Sequence, residues 1–94
     1  MEQKSLFMVI ERFKNGEASA VYRRFRDRGR MQPEGLDYIS SWIDAERWIC
    51  FQVMQTDDPQ KLEEWMNHWR DLMDFEVYPV ITSQEAVQKA GLVL

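Results

Sequence analysis

One amphipathic stretch constrains the fold more than any other part of the chain. Between residues 59 and 73, large apolar side chains recur at intervals of three and four, the spacing that places them on one face of an α-helix. They are Leu62, Trp65, Met66, Trp69, Leu72 and Met73. Pro59 suits the first position of a helix, and Asp57 or Asp58 can cap its first turn. Because two tryptophans need a broad apolar surface to cover them, we expect that surface to be a β-sheet.

The rest of the chain is predicted to supply the strands of that sheet and two further helices. Apolar residues run without interruption from Leu6 to Ile10, which is typical of a strand buried on both faces and therefore central in its sheet. Pro79 cannot donate a ladder hydrogen bond, so the last strand is expected at an edge or to carry a bulge there. Gly29 is expected to end the first helix. The predicted strands are residues 5–12, 36–44, 47–55 and 75–81, and the predicted helices are residues 18–28, 59–73 and 84–90.

The two faces of the predicted hairpin, residues 36–55, can be assigned only conditionally. In a symmetric hairpin, one face carries Tyr38, Ser40, Trp42, Ile49, Phe51 and Val53. The other face then carries Asp37, Ile39, Ser41, Ile43, Trp48, Cys50, Gln52 and Met54. A β-bulge would reverse that assignment. Both faces are largely apolar in either case, so one is expected to meet the helices and the other to meet a second protein surface.

The predicted order of elements, β-α-β-β-α-β with a C-terminal tail, is that of the ferredoxin-like α+β fold. Right-handed crossovers would place both helices on one face of a four-stranded antiparallel sheet. The 94 residues are therefore predicted to form a single domain, with a core over about residues 5–81 and a tail over residues 82–94. Since the open face of the sheet is too apolar for water, we expect a homodimer in which two sheets pack face to face as a dimeric α+β barrel.

Composition and charge exclude several classes of protein. The net charge of −4 argues against a general nucleic-acid binder, which would normally be basic. A single cysteine, Cys50, cannot form an internal disulfide, so a reducing compartment is expected. The apolar run over residues 6–10 is too short for a signal core or a membrane span. We therefore expect a soluble, cytoplasmic protein with neither nucleic acid nor membrane as a partner.

Five segments carry a resemblance to a known family. They are LFMVIERF at 6–13, VYRRFRDRGR at 21–30, EGLDYISSW at 34–42, CFQVMQTDDP at 50–59 and DFEVYPV at 74–80. In these segments the chain resembles a family of short bacterial-type proteins catalogued as domain of unknown function 3303. The resemblance implies the fold of the dimeric α+β barrel superfamily, and it supplies no catalytic residue. That superfamily includes small monooxygenases, isomerases and stress-response proteins, but a likeness of fold alone transfers no function.

His68, the only histidine, is the weak catalytic candidate. On the predicted helix it follows Glu64 by four residues and precedes Asp71 by three, so either carboxylate could orient its ring. Such a pair could act as a general base. The simpler interpretation is a surface histidine in an ordinary helical ion pair.

An arginine cluster spans residues 23–30 and is the candidate anion site. The guanidinium fork suits carboxylate and phosphate alike. Arg24 and Arg28 lie four residues apart beside the apolar stripe of their helix, so they are better placed than their neighbours to point into a cleft. The alternative is a solvated face paired with Asp27 and with acids elsewhere in the chain.

Polar residues embedded in apolar strands complete the predicted ligand site. Ser40 and Gln52 need hydrogen-bonding partners if they are buried, and Trp69 could contribute an aromatic wall. Cys50 has no local base and is expected to be a structural thiol. The predicted ligand-binding residues are Arg24, Arg28, Trp69, Ser40 and Gln52.

The sequence predicts no metal site and no cofactor, since it contains no motif typical of either. We expect a small apolar or anionic organic molecule to bind between the sheet and the helices. If the protein is an enzyme, a proton transfer or oxygenation without a cofactor fits best. The alternative function is a non-catalytic dimeric interaction or sensory module without a ligand.

Overall fold

A four-stranded antiparallel sheet covered by helices forms the protein, and the computed structural model describes residues 4–91. The elements in chain order are β1 (Ser5–Phe13), α1 (Ala18–Arg28), β2 (Asp37–Asp44), β3 (Ile49–Thr56), α2 (Gln60–Asn67), β4 (Met73–Val80) and α3 (Ser83–Lys89). The strand order is β2-β3-β1-β4, and each neighbouring pair is antiparallel. This is the predicted ferredoxin-like fold. β1 is central as expected, and β4, which contains Pro79, lies at an edge.

The helices α1 and α2 cover the same face of the sheet. The side chains of β3 alternate in burial along the whole strand, and Met54 is completely buried on the helix side. Val21 of α1 and Leu62 and Trp65 of α2 belong to the same core cluster as Met54. Fully burying an apolar side chain such as Leu62 stabilises the fold by about 1.5–3 kcal/mol. The core therefore lies between the two helices and one face of the sheet.

The helix predicted over residues 59–73 ends earlier, at Asn67, so its predicted extent is wrong. Residues 68–72 continue as turns held by shorter-range hydrogen bonds, in which the backbone N–H of Trp69 donates to the carbonyl of Met66 over 2.9 Å and that of Leu72 to the carbonyl of Trp69 over 2.9 Å. Trp69 and Leu72 nevertheless remain buried. The apolar spacing thus predicted which side chains are buried, but not which backbone hydrogen bonds they make.

A β-bulge at Ile39 decides how the hairpin presents its faces. Tyr38 pairs with Met54 and Ser40 pairs with Val53, which leaves Ile39 without a partner in β3. Ser40 and Trp42 therefore share the open face, as in the symmetric assignment, whereas the bulge turns Tyr38 to the helix side. The symmetric assignment is thus correct for residues after the bulge and reversed for Asp37 and Tyr38, before it.

The open face of the sheet is apolar and lacks a cover among the described residues. Alternation along the strands places Met8, Ile10, Trp42, Phe51, Val53 and Tyr78 on it. Trp42 is 59% exposed and Tyr78 is 51% exposed. Arg12 and Glu76 form an ion pair between neighbouring strands on this face.

The C-terminal helix α3 lies outside the core. The hydroxyl of Thr82 accepts a hydrogen bond of 3.1 Å from the backbone N–H of Glu85, which caps the helix, and no residue of α3 is buried. The last three residues of the predicted tail, 92–94, lie outside the described residues, as do residues 1–3. Among residues 4–91, no helix has both the length and the apolar character that crossing a bilayer requires.

Candidate functional site

A cavity of about 230 Å³ lies between the helix-covered face of the sheet and α1. Its walls are mostly apolar, with contributions from Phe13, Val21, Tyr22, Phe25, Trp65 and Trp69. Its polar lining comes from Glu11, Arg30, Ser41, Cys50 and Gln52. Tyr22 and Phe25 of α1 and Ile43 of β2 line the cavity and are each more than two-fifths exposed, so the mouth lies between α1 and the β2 edge.

Glu11 is a carboxyl group buried in the central strand. It occupies the next helix-facing position after the fully buried Val9, and only 5% of its surface is exposed. The amide nitrogen of Gln52 donates a hydrogen bond of 2.7 Å to Glu11 Oε1. Burial raises the pKa of Glu11 to about 7, although the Cys50 thiol, the Arg30 charge and the Gln52 amide each act to lower it. Glu11 can therefore accept or release a proton near neutral pH.

Gln52 is also hydrogen-bonded to Arg30, which completes a polar chain Glu11–Gln52–Arg30. The Nε of Arg30 donates a hydrogen bond of 2.9 Å to Gln52 Oε1. The guanidinium carbon lies 3.7 Å from the centre of the Tyr38 ring and 5.2 Å from that of Phe25, so aromatic faces hold the cation in place. Within residues 4–91, no carboxylate lies within 4.0 Å of the Arg30 guanidinium.

The backbone directs Arg30 into the cavity and away from the helix surface. Gly29 ends α1 with φ of 69°, a left-handed conformation that glycine adopts readily. The carbonyl of Arg30 then accepts hydrogen bonds from the indole N–H groups of Trp65 and Trp69, each over 3.1 Å. Two side chains of the core therefore hold the segment that carries the arginine.

Cys50 lies directly opposite Glu11 in the β1–β3 ladder. Burial and the neighbouring Glu11 carboxyl raise the pKa of Cys50 to about 12. A thiol that keeps its proton is a poor nucleophile, because the thiolate is the reactive form. The geometry agrees with the expectation of a structural thiol.

The predicted ligand-binding residues lie on three different surfaces. Gln52 and Trp69 line the cavity. Arg24 and Arg28 lie instead beside His68 in a separate, shallow and polar cleft. Ser40 lies on the open face of the sheet, on the far side from Gln52.

The polar cleft is organised by one ion pair. Both terminal nitrogens of Arg24 donate to the carboxylate of Asp71, each over 2.7 Å, and one also donates to the carbonyl of His68 over 2.8 Å. The hydrogen bonds from Arg24 lower the pKa of Asp71. Much of the hydrogen-bonding capacity of Arg24 is therefore already used within the chain.

The His68 and Glu64 pair is not joined in the described part of the chain. His68 caps the C-terminal end of α2, and neither a hydrogen bond nor an ion pair between it and Glu64 occurs among residues 4–91. Neither residue lines the cavity. The weak catalytic candidate thus remains a prediction without a contact that supports it.

Of the two charged residues of the cavity, the sequence analysis missed Glu11 and included Arg30 only as a member of the arginine cluster, in which it preferred Arg24 and Arg28. A signal for Glu11 was present, because Phe7, Val9, Glu11 and Phe13 alternate along a strand predicted to be central. For Arg30 the predicted end of the helix at Gly29 was a partial signal, but the direction of the segment depends on the backbone angles of Gly29 and Met31.

Comparison with known proteins places the chain at the level of a family. No curated protein and no solved structure matches it. Among residues 4–91, no group of three or more His, Cys, Asp or Glu side chains is arranged to hold a metal ion. The family model described as a domain of unknown function, DUF3303, matches residues 5–92. Because this match spans nearly the whole chain, the protein belongs to the DUF3303 family.

Proposed function

We propose that the protein is a homodimer that binds a small organic molecule, mainly apolar and with one polar or anionic group, between the sheet and the helices. The observation that carries this proposal is the polar chain Glu11–Gln52–Arg30 inside an otherwise apolar cavity. Small-molecule sites typically combine hydrophobic walls with a few placed polar groups. A carboxyl with a perturbed pKa inside such a cavity strengthens the inference.

The size of the cavity limits the ligand. An apolar cavity of about 150 Å³ is enough to hold benzene. The cavity of about 230 Å³ therefore suits a single ring with one or two substituents, or an aliphatic molecule of similar size. A nucleotide or a fatty acid is too large to be enclosed.

Burial of a polar group in the cavity is costly unless the group has a hydrogen-bonding partner. Transfer of a polar group out of water without a partner costs at least about 1–3 kcal/mol, and more for a charge. Here no fully buried side-chain nitrogen or oxygen among residues 4–91 lacks a partner, so the remaining donors and acceptors of Glu11 and Arg30 are those that line the cavity. A ligand with a complementary polar group would complete these hydrogen bonds.

The open face of the sheet supports the second part of the proposal, which is the homodimer. Exposed Trp42 and Tyr78 flank a row of apolar side chains on β1 and β3. Contiguous apolar surface of this kind marks a protein interface more often than a free surface. A second copy offers the same flat apolar face, and two sheets can pack about 10 Å apart.

The cavity and the proposed dimer interface lie on opposite faces of β3. Gln52 points to the cavity, whereas its neighbours Phe51 and Val53 point to the open face. Substitutions can therefore disturb ligand binding and dimer formation separately.

Native mass spectrometry on protein purified without denaturation tests both parts together. We expect a dimer mass and a reproducible added mass from retained ligand. Ile43→Trp, at the mouth of the cavity, should lose the added mass and keep the dimer. Ile81→Trp is the matched control, since Ile81 is 44% exposed against 41% for Ile43 and does not line the cavity.

Other outcomes would contradict the proposal in distinct ways. A monomer at micromolar concentration would refute the dimer. A bare dimer that also binds none of a panel of single-ring compounds would refute the pocket, and it would favour the dimeric interaction module without a ligand.

A further inference from the structure

Gln52 joins the two charged residues of the cavity and thereby limits what a ligand can contact. Its Oε1 accepts from Arg30, and its Nε2 donates to Glu11. Because an amide oxygen cannot donate and an amide nitrogen does not accept, both partners fix its orientation. On the two charged side chains, the groups left for a ligand are the terminal nitrogens of Arg30 and the remaining hydrogen-bonding capacity of the Glu11 carboxyl.

Arg30 selects the charge of the ligand. Among residues 4–91, no carboxylate compensates its guanidinium within ion-pair distance. The Tyr38 and Phe25 rings hold the guanidinium, whose fork of N–H groups matches the two oxygens of a carboxylate. A phosphate would bring up to two charges and three acceptor oxygens to a cavity with one arginine, so the carboxylate fits better.

We propose that the cavity takes a small planar carboxylic acid, bound as the carboxylate by Arg30, and that its binding takes up one proton onto Glu11. This inference rests on the proposed ligand pocket. Arg30 and Glu11 are separated by a single amide, so a ligand carboxylate at Arg30 comes close to Glu11 inside an apolar cavity. Two like charges in such a place disfavour each other. A proton from solvent adds to a Glu11 oxygen, and no other bond changes.

Among the ionisable groups that surround it, Glu11 is the one that titrates near pH 7. Cys50 faces it from β3, Tyr22 from α1 and Arg30 from the segment after α1. Burial raises the pKa of Cys50 to about 12 and also raises the pKa of Tyr22, so both stay neutral near pH 7. Arginine stays charged at every accessible pH. The neighbours from α2 and β4 are apolar, namely Trp65, Met73 and Phe75.

Benzoate is the probe, and benzamide is the neutral probe of the same shape. Trp65 and Trp69 line the cavity, so their fluorescence reports binding. With a pKa of about 7 for Glu11, benzoate should bind roughly tenfold more weakly at about pH 8 than at about pH 6. Benzamide should bind equally at both pH values. Calorimetry of the wild-type protein in two buffers of different ionisation enthalpy, at about pH 8, should show uptake of about one proton per benzoate.

Two substitutions with matched controls locate the effect. Glu11→Gln keeps the shape of the side chain and removes its titration, so benzoate affinity should no longer depend on pH. Glu46→Gln, an exposed acid in the hairpin turn, should keep the wild-type pH dependence. Arg30→Gln should weaken benzoate more than tenfold and benzamide much less, because a charged acceptor loses more than a neutral one, whereas Arg23→Gln, on the exposed surface of α1, should change neither.

The results separate this inference from the proposed function. Binding of benzamide without a preference for benzoate, or a benzoate affinity equal at both pH values, would overturn the inference and leave the pocket standing. A pH dependence retained by Glu11→Gln would overturn it as well. Absence of binding by both probes up to millimolar concentration would overturn the inference and the pocket together. The proton count needs no variant, so it holds even if Glu11→Gln fails to fold.

Discussion

Trp65 and Trp69 donate their indole N–H groups to one acceptor, the carbonyl of Arg30, each over 3.1 Å. The two rings come from α2 and from the turn that follows it. They therefore connect α2 to the segment that carries Arg30. A carbonyl oxygen has two lone pairs, so both bonds can form together.

The shared acceptor predicts a non-additive effect on stability. Trp65→Phe or Trp69→Phe should each cost about 1–2 kcal/mol, because the carbonyl keeps one of its two partners. The double variant should cost about 1 kcal/mol more than the sum of the two, since the carbonyl is then left without either. Urea unfolding at a fixed protein concentration measures the free energies, which for a dimer depend on that concentration. Additive costs would show that the two bonds do not share a structural role.

Glu11 predicts a pH-dependent stability of definite sign. Its pKa is about 7 in the folded protein against an ordinary value of 4.5. Below the lower value both states are protonated and the folded state has its full stability. As the pH rises towards the higher value, the unfolded state releases a proton that the folded state retains, and about 3 kcal/mol is lost.

Glu11→Gln should abolish this loss. We subtract the free energy of unfolding of the wild type from that of the variant, both measured by urea unfolding at the same pH. This difference should rise by about 2–3 kcal/mol between about pH 5 and about pH 8. Glu46→Gln controls for the removal of one acid from a protein that is already negative. Curves that run parallel for Glu11→Gln and the wild type would refute the raised pKa of Glu11.

Gly35 has φ of 92°, which a residue with a Cβ adopts only with strain, and a Cβ built there would lie 2.7 Å from Lys61 Nζ. Gly35→Ala should cost about 1–2 kcal/mol in the free energy of unfolding. Because the end of a lysine side chain moves easily, most of this cost is assigned to the backbone. Lys61→Ala should therefore leave the cost of Gly35→Ala almost unchanged in a double-mutant cycle. Recovery of stability in the double variant would instead assign the cost to the contact with Lys61.

Trp42 is expected at the dimer interface because it is 59% exposed on the open face. Trp42→Lys should convert the proposed dimer to a monomer in sedimentation experiments, since it would bury a charge against a second sheet. Ile81→Lys is the control, because Ile81 is exposed after the end of β4 and alternation places it away from the open face. An unchanged dimer in Trp42→Lys would move the interface to another surface.

The fold was predictable because apolar spacing reports burial, and burial decides how the layers pack. Leu6 to Ile10 marked the central strand, and Pro79 marked an edge strand. The same spacing predicted a helix that is too long. Trp69 and Leu72 are buried as they would be in a helix, but they lie in turns with shorter-range hydrogen bonds.

The candidate site was predictable only in part. Gln52 and Trp69 were identified because a polar side chain in an apolar strand and a large aromatic ring are conspicuous in the sequence. Arg30 was assigned to a cluster on the helix surface, but the residues on both sides of it, Gly29 and Met31, have positive φ, of 69° and 62°. Such a reversal of direction depends on backbone angles, which neither composition nor periodicity specifies.

The bulged Ile39 makes the support of Arg30 by the Tyr38 ring dependent on how one edge strand pairs with its neighbour. Pairing Ile39 with Met54 would restore strict alternation over the present residues and turn the Tyr38 ring to the opposite side of the sheet, away from the Arg30 guanidinium that it now supports. Deleting Ile39 would instead leave Tyr38 opposite Met54, on the helix side. An edge strand one residue shorter at this point would therefore keep the aromatic support of the cation, whereas a strand of the present length without the bulge would lose it.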